Sequence, residues 1–416
     1  MSLRKRPDPL FVLAGGPGQA ATAFYPQAAT ALARIHRDRD IILVDQRGTG
    51  RSNGLYCHFK DQLSGESTDD LVAAARQCLQ ELSTHADVAF YTTTLAVGDL
   101  ERVRAALGYR RIDLYGVSYG TRVAQEYMRR YPQRVRAAVL DGVVPPQVAL
   151  GARLPLNAQA ALDRIFSRCT RDPACHARFG DSAATWRALA ESLAKRPVTV
   201  SLQSPTTGEP MTLAFTAAHL ATVLRLSSYT SEQAALLPLL LHEASARGDF
   251  TPLAAQYLIV SRTYGDAIAD GMQSTVVCTE DVPFYERAGI DPARLERTFL
   301  GMRQIDALEH VCAVWPHGPM DPELHAPLHS NVPVLLLSGG DDPVTPPAYA
   351  EEAARGLTHH LIVDLPGMGH GQLTAPCVGR LMAQFIERGS TAGVDLSCVR
   401  KVHAFPFFTS FAGPSP

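Results

Sequence analysis

The chain has no hydrophobic run long enough to cross a membrane, which takes about 20 apolar residues in a helix. Its most apolar stretches, residues 236–241 and 334–337, have the size of core segments. It also has no surplus of charge, because 39 basic residues oppose 41 acidic ones and the formal net charge is −2. This balance gives no reason to expect nucleic acid or a membrane surface as a partner. Internal repeats and low-complexity tracts are absent too, so an ordinary globular protein is expected.

The amino terminus has no apolar segment of the kind that a secretory signal requires. The cysteines include no two matched Cys-x-x-Cys pairs, which disfavours a zinc site. They instead form four couples that are close in sequence: Cys57 with Cys78, Cys169 with Cys175, Cys278 with Cys312, and Cys377 with Cys398. Eight reduced thiols in a cytosolic enzyme and four disulfides in an exported one both fit this count. The even, local pattern favours disulfides, and so a secreted or periplasmic protein whose targeting segment is absent from this chain.

One short segment combines a strand, a sharp turn and a helix. A strand is predicted over residues 112–115, and the helix after the turn is ended by Pro132. Between them Gly116 and Gly120 flank Ser118 as Gly-x-Ser-x-Gly. On such a turn the serine hydroxyl is exposed, and small neighbours let the strand and helix approach each other. The motif is typical of a catalytic nucleophile, but it also fits a plain glycine-rich turn unless an acid and a histidine complete it.

Strands and helices alternate in both terminal parts of the chain. Strands are predicted at residues 10–13, 40–44, 112–115, 135–140, 332–337 and 359–363. This alternation predicts an α/β fold with a mostly parallel sheet and helices on both faces. The middle of the chain is mainly helical, with one hairpin, and predicts an inserted cap. The predicted division is residues 1–146 and 331–416 for the core and residues 147–330 for the cap.

The groups that Ser118 needs follow the last two predicted strands. Asp341 and Asp342 come after one of them, and His370 stands between two glycines after the other. In a parallel sheet these side chains reach the same edge as Ser118. The order Ser, Asp, His is the order in α/β hydrolases. The residues alone leave Asp341 and Asp342 as rival candidates for the acid.

Two backbone turns are candidates for an oxyanion hole. The amide of Tyr119 begins the helix behind Ser118, at the positive end of the helix dipole. Residues 14–19 read Ala-Gly-Gly-Pro-Gly-Gln, where amides at Gly15 and Gly16 can face a ligand without obstruction. By itself this second segment fits a simple tight turn equally well.

Five segments resemble the α/β-hydrolase peptidases of the prolyl aminopeptidase and secreted tripeptidyl aminopeptidase group, with its TAP-like C-terminal region. They are Ala-Gly-Gly-Pro-Gly-Gln, Asp-Gln-Arg-Gly-Thr-Gly-Arg-Ser, Gly-Val-Ser-Tyr-Gly-Thr, Gly-Asp-Asp-Pro-Val-Thr-Pro and Gly-His-Gly, at residues 14–19, 45–52, 116–121, 340–346 and 369–371. The resemblance covers residues 10–398. It implies the α/β-hydrolase fold, export and disulfides.

The same resemblance implies roles for particular residues. It selects Asp342 over Asp341, because the family's acid directly precedes Pro-Val-Thr-Pro. It also implies a lid that binds the substrate's free amino terminus through acidic groups. Glu280 and Asp281, next to Cys278, are the candidates for that contact.

Two features depart from the family. Ala14 stands where prolyl aminopeptidases usually have histidine, which weakens any inference of proline specificity. The family also begins with two strands for which residues 1–9 leave no room. We therefore expect a truncated sheet in which residues 41–44 form an edge strand.

Together these patterns predict a serine hydrolase that releases N-terminal residues from short peptides. Ser118 would attack the carbonyl carbon, His370 would carry the proton, and Asp342 would orient the imidazole. No metal or organic cofactor is implied, the substrate is a small peptide or ester, and the oligomeric state stays open. One rival is a carboxylesterase with the same triad. A non-catalytic binding protein on this scaffold is the other, and the intact Ser/Asp/His set argues against it.

Overall fold

A computed structural model describes residues 6–57, 67–286 and 289–414. In these residues the strands are β1 (Leu10–Leu13), β2 (Ile41–Leu43), β3 (Ile112–Val117), β4 (Val135–Asp141), β5 (Val198–Gln203), β6 (Pro210–Phe215), β7 (Val334–Gly339), β8 (His360–Leu365), β9 (Phe408–Ser410) and β10 (Gly413–Pro414). The helices are α1 (Ala21–His36), α2 (Thr68–Leu82), α3 (Thr93–Ala106), α4 (Tyr119–Arg130), α5 (Leu154–Arg171), α6 (Pro173–Phe179), α7 (Ser182–Lys195), α8 (Ala217–Ser227), α9 (Ser231–Arg247), α10 (Thr251–Gly265), α11 (Asp270–Glu280), α12 (Pro292–Leu295), α13 (Arg303–Cys312), α14 (Pro347–Ala354) and α15 (Val378–Arg388).

Six parallel strands form the central sheet, in the order β2-β1-β3-β4-β7-β8. All their carboxyl ends therefore meet at one edge, where open α/β sheets bind their ligands. In the described part of the chain β2 lies at the side of this sheet, as the sequence predicts. The predicted parallel sheet is confirmed.

Helices cover both faces of the sheet. Phe11 and Leu13 belong to the core beneath α3, α4 and α14, whereas Leu10 and Val12 belong to the core beneath α1 and α15. A strand that is buried on both faces needs apolar residues at every position. This requirement explains the continuous hydrophobic runs of β1 and β7, and the predicted fold class is right.

The segment from α5 to α13 forms the cap between β4 and β7, and it includes the predicted hairpin of β5 and β6. Its own apolar core contains Phe166, Phe215, Leu241 and Tyr257. Phe407, from the C-terminal part of the chain, packs into this core as well. The predicted division assigns that residue to the hydrolase core, and its boundaries stay a prediction.

Each predicted cysteine couple lies within disulfide reach. The Cα atoms are 5.4 Å apart for Cys57 and Cys78, 5.3 Å for Cys169 and Cys175, 4.9 Å for Cys278 and Cys312, and 6.0 Å for Cys377 and Cys398. All eight cysteines are described, and none is unpaired. Disulfides of this number are typical of proteins that fold in an oxidising compartment. Across the described residues, no helix has both the length and the apolar composition to span a bilayer.

Candidate active site

Ser118 lies at the turn between β3 and α4. Its backbone φ is +55°, a value that residues other than glycine rarely adopt and that marks a strained turn. A Cβ atom on Gly116 would overlap the carbonyl group of Gly120, and one on Gly120 would overlap the carbonyl oxygen of Leu13. The two glycines therefore let α4 begin close against β1 and β3. This geometry directs the serine outward at the carboxyl edge of the sheet.

His370 and Asp342 are joined at the same edge. Nδ1 of His370 lies 2.8 Å from Oδ2 of Asp342. The backbone amides of Val344 and Thr345 donate to Oδ1 of Asp342 at 2.7 and 2.8 Å, and the Thr345 hydroxyl donates to Oδ2 at 2.8 Å. A carboxylate held by several donors keeps one orientation. It is therefore suited to fix the tautomer of the imidazole and to stabilise its protonated form.

Asp341, the rival acid, has different partners. Its carboxylate lies 3.4 Å from Nε of Arg164 and 3.7 Å from Nη2 of Arg168, both on α5. Burial raises the pKa of Asp341, and the two arginines partly oppose this effect. Asp341 thus connects the core to the cap, and Asp342 is the carboxylate beside the histidine.

Ser118 and His370 line one cavity of about 670 Å³ between the core and the cap. A cavity of this size holds a ligand as large as a short peptide. Its apolar lining includes Val148, Leu154, Leu226, Tyr229, Ile268 and Met368. Among the described residues no hydrogen bond joins the Ser118 hydroxyl to His370. In many enzymes this bond tightens only when substrate binds.

The residues predicted for the oxyanion hole surround Ser118. A Cβ atom on Gly15 would lie 3.1 Å from Cβ of Ser118, and both Gly15 and Gly16 line the cavity. Tyr119 is the first residue of α4, so its amide has no acceptor within the helix. Backbone amides in this position are suited to stabilise a negatively charged oxygen in front of the serine.

Two family models match the chain. The one described as alpha/beta hydrolase fold matches residues 8–176, and the one described as TAP-like protein matches residues 297–398. The first range contains Ser118, and the second contains Asp342 and His370. The chain is therefore an α/β hydrolase in fold, with a C-terminal region that matches TAP-like proteins.

Three relatives of this hydrolase each align with 94% of its chain. Serine protease Hip1 of Mycobacterium tuberculosis is 25% identical, and the match covers 80% of that protein. Tripeptidyl aminopeptidase of Streptomyces coelicolor is 26% identical, with 76% of its length covered. Carboxylesterase B of Mycobacterium tuberculosis is 27% identical, with 79% covered. The relatives therefore include proteins named as peptidases and one named as an esterase.

Glu280 and Asp281, the predicted contacts for the substrate's amino terminus, do not reach the cavity of this hydrolase. Both are fully buried, and neither lines it. Glu280 accepts hydrogen bonds from the amide and the hydroxyl of Thr93 at 2.7 and 2.6 Å. Asp281 pairs with Nη2 of Arg122 at 2.9 Å and accepts the amide of Leu150 at 2.7 Å. Their assignment to the substrate is wrong, because both carboxylates are buried outside the cavity and each accepts hydrogen bonds from groups of the protein itself.

These two acids instead join the cap to the helix that carries the nucleophile. Arg122 is on α4, one turn from Ser118, and also donates to the carbonyl of Val148 at 2.7 Å. The hydroxyl of Thr93 lies 2.6 Å from the hydroxyl of Tyr119. Burial raises the pKa of Glu280 to about 7, although Arg122 and Thr93 lower it. The end of α11 therefore supports the backbone on which the predicted oxyanion amide sits.

Asp141, at the end of β4, is a site residue that the sequence patterns do not single out. Its two carboxylate oxygens accept the amide of Gln372 at 2.8 and 2.9 Å, and one accepts the Tyr115 hydroxyl at 2.8 Å. Its carbonyl oxygen accepts the amide of Ser118 at 2.8 Å. Burial raises its pKa to about 6. Asp141 thus holds the serine turn and the loop of His370 together. Its position at the end of a predicted strand is the sequence feature that could have indicated this role.

Asp270 is a second acid that the sequence patterns do not indicate, and it lines the cavity. It begins α11, next to Ala269, whose amide donates to the carbonyl of Gly18 at 2.9 Å. The start of α11 therefore lies against the turn that contains Gly15 and Gly16. No group of three or more His, Cys, Asp or Glu in the described ranges is arranged to hold a metal ion.

Proposed function

We propose that this hydrolase is a serine peptidase that removes N-terminal residues from short peptides. Ser118 and His370 line one cavity, and His370 is paired with Asp342 behind it; this arrangement carries the proposal. Relatives named as a serine protease and a tripeptidyl aminopeptidase, each aligned with 94% of the chain, support the peptide substrate. The four disulfides support a location outside the cytoplasm.

The proposed reaction is acyl transfer in two steps. Ser118 attacks the scissile carbonyl carbon while His370 takes the hydroxyl proton, and the imidazolium then gives that proton to the leaving amine. The amides of Tyr119 and Gly16 or Gly15 stabilise the oxyanion. Water then attacks the acyl-enzyme, with His370 as base, and releases the N-terminal product.

The pH dependence of this reaction follows from the surroundings of His370. Burial opposes the imidazolium, but the Asp342 carboxylate outweighs burial, and the pKa of His370 is raised above its usual 6.5. Catalysis needs the neutral imidazole, so activity is present above this pKa and is lost as the pH falls through it. We expect kcat/KM to fall on the acid side with a midpoint above 6.5. A titration of kcat/KM from about pH 4 to 9 measures it.

Substitutions of the neighbouring acids Asp341 and Asp342 distinguish their roles. Asp342→Asn removes the charge that raises the pKa, so the midpoint moves to lower pH and kcat falls about 10⁴-fold. Asp341→Asn should leave the midpoint in place, because its carboxylate faces Arg164 and Arg168 instead. A flat wild-type profile down to about pH 4, or a midpoint moved by Asp341→Asn alone, contradicts the assignment.

A free amino terminus needs a negative partner in the cavity, and Asp270 is the proposed one. None of the described cationic side chains lies within salt-bridge distance of it. Its carboxylate accepts the amide of Cys57 at 3.2 Å, and burial raises its pKa. A partly buried carboxylate without a counter-charge attracts an ammonium group more strongly than an exposed one does. An acid in the first turn also stabilises its helix, so the test must distinguish the two roles.

The test compares a short peptide with its N-acetylated form. We expect the wild-type enzyme to prefer the free peptide by about tenfold or more, which is the effect of one charge-assisted contact. Asp270→Asn should reduce this preference, mainly through KM. Asp266→Asn is the matched control, because it removes a nearby acid that is 73% exposed and pairs with Arg262 on the surface.

Two results would exclude the aminopeptidase. Equal cleavage of free and acetylated peptides would mean that the enzyme does not select an amino terminus. Turnover of short-chain esters without turnover of any peptide would favour a carboxylesterase, which is the second candidate because a relative carries that name. Ester and amide acyl transfer use the same triad, so only substrate comparison separates them.

A further inference from the structure

Arg225 is a cationic residue of the cavity wall that the proposed reaction does not use. It lies in the last turn of α8, four residues before Tyr229. The carbonyl oxygen of Tyr229 accepts the backbone amide of His370 at 2.7 Å, and the two rings contact edge-on with centroids 5.2 Å apart. Arg225 is therefore four residues along the chain from a residue that contacts the predicted catalytic base.

The guanidinium of Arg225 lacks the carboxylate partner that the most buried arginines have. The fully buried arginines each pair with a carboxylate: Arg39 with Asp8, Arg104 with Glu101, and Arg122 with Asp281. Nη1 of Arg225 donates only to Oε1 of Gln304, at 3.3 Å. Its Nε is buried without a hydrogen-bond partner, and none of the described carboxylates lies within 4 Å.

A role for Arg225 in helix stability does not account for this arrangement. A basic residue in the last turn interacts favourably with the helix dipole, but that interaction needs no burial and no place on a cavity wall. A buried donor without a partner costs free energy. A ligand that supplies the acceptor would recover this cost when it binds.

Two residues with hydroxyl groups line the cavity together with Arg225. Ser261 and Tyr264 are on the neighbouring helix α10 and line the same cavity. The Ser261 Oγ is also buried without a partner, and the Tyr264 ring lies 5.0 Å from the Tyr229 ring. Burial raises the pKa of Tyr264, while the charge of Arg225 acts to lower it. Both hydroxyls remain donors at neutral pH.

We propose that Arg225, with the hydroxyls of Ser261 and Tyr264, binds a carboxylate on the leaving part of the substrate. A guanidinium on the same cavity wall as hydroxyl donors matches a carboxylate, which accepts two parallel hydrogen bonds from arginine. The position next to Tyr229 and His370 is on the leaving-group side, because His370 protonates the leaving amine. The proposal rests on the peptidase function above.

This assignment narrows the substrate class to short peptides with a free C-terminal carboxylate. Asp270 near the oxyanion turn would hold the ammonium end, and Arg225 would hold the carboxylate end. The cavity of about 670 Å³ can enclose both ends of such a peptide. Longer chains would place no carboxylate at Arg225, and proteins would not enter.

The experiment uses tetra-alanine and its C-terminal amide as substrates. We expect the kcat/KM of the wild-type enzyme to be on the order of 10- to 100-fold higher for tetra-alanine than for its amide. This is the usual effect of a charge-assisted hydrogen bond. Arg225→Gln should bring this ratio close to one, and Arg225→Lys should restore part of it. Binding of both peptides to the Ser118→Ala variant, measured by calorimetry, should show the same preference without turnover.

Arg153→Gln is the matched control, because Arg153 is another arginine of the cavity wall. If only the total charge of the cavity mattered, this variant would lose the preference equally. Retention of the preference in Arg153→Gln and its loss in Arg225→Gln support the proposal. Equal cleavage of the two peptides by the wild-type enzyme, or loss of the preference in both variants, overturns it. Hydrolysis of esters but of no peptide would instead reject the peptidase function itself.

Discussion

Replacing Ser118 with alanine should reduce kcat by at least about 10³-fold and leave the fold unchanged. The hydroxyl is the attacking group in the proposed reaction, so the variant lacks the oxygen atom that would form the acyl-enzyme. The substitution removes one oxygen atom that makes no hydrogen bond within the described protein. Rates on a peptide and on a short ester, together with circular dichroism of the variant, measure both parts of the expectation.

Ser52→Ala is the control for this substitution. Ser52 is an exposed serine in the conspicuous segment of residues 45–52, and its loss should not change either rate. A Ser118→Ala variant that keeps more than about 1% of the wild-type turnover would reject covalent catalysis by this residue. Loss of folded structure in that variant would mean that the strained turn depends on the hydroxyl.

The largest effect on stability is expected at Asp281. Asn at this position keeps the shape of the side chain and an acceptor for the amide of Leu150, but it removes the negative charge. The guanidinium of Arg122, with 1% of its side chain exposed, then stays buried without its ion-pair partner and keeps only the charge of Glu280 nearby. Breaking a buried ion pair in this way typically costs about 3–5 kcal/mol of the free energy of unfolding. Urea denaturation of both proteins with intact disulfides measures the loss.

Two further variants distinguish this charge effect from general damage. Asp266→Asn breaks the surface pair with Arg262, and it should cost no more than about 0.5 kcal/mol. The double variant Arg122→Met/Asp281→Asn removes the unpaired charge, so it should be more stable than Asp281→Asn alone. Equal losses in Asp281→Asn and the double variant would show that the pair contributes through hydrogen bonds and not through charge.

The fold and the core of the site could be predicted because their signals are local. Strand periodicity, the glycines around Ser118 and the position of His370 after a strand all lie within a few residues of sequence. A parallel sheet then brings the ends of β3, β7 and β8 to one edge without any knowledge of side-chain contacts. The choice of Asp342 over Asp341 could not be made from such local patterns and needed the resemblance to the family. Neighbouring residues on a turn point in different directions and contact different partners.

The substrate contacts could not be predicted because burial depends on partners that are distant in sequence. Glu280 and Asp281 look like exposed lid acids when only their neighbours are considered. Their donors, Thr93 and Arg122, lie more than 150 residues earlier, in another part of the fold. In the sequence, Asp270 looks like an ordinary acid that stabilises the first turn of its helix. Only its position in the cavity wall suggests that it binds substrate.

The contacts at the end of α11 limit how far the cap of this enzyme can be exchanged for that of a relative. A grafted cap would bring its own residues to Thr93 and Arg122. Unless it supplied a carboxylate to each, the recipient core would enclose a bare guanidinium directly behind its nucleophile. Cap and core are therefore not independent modules, and a chimera with new specificity should replace the residues that line the cavity while it keeps Glu280 and Asp281 with the core.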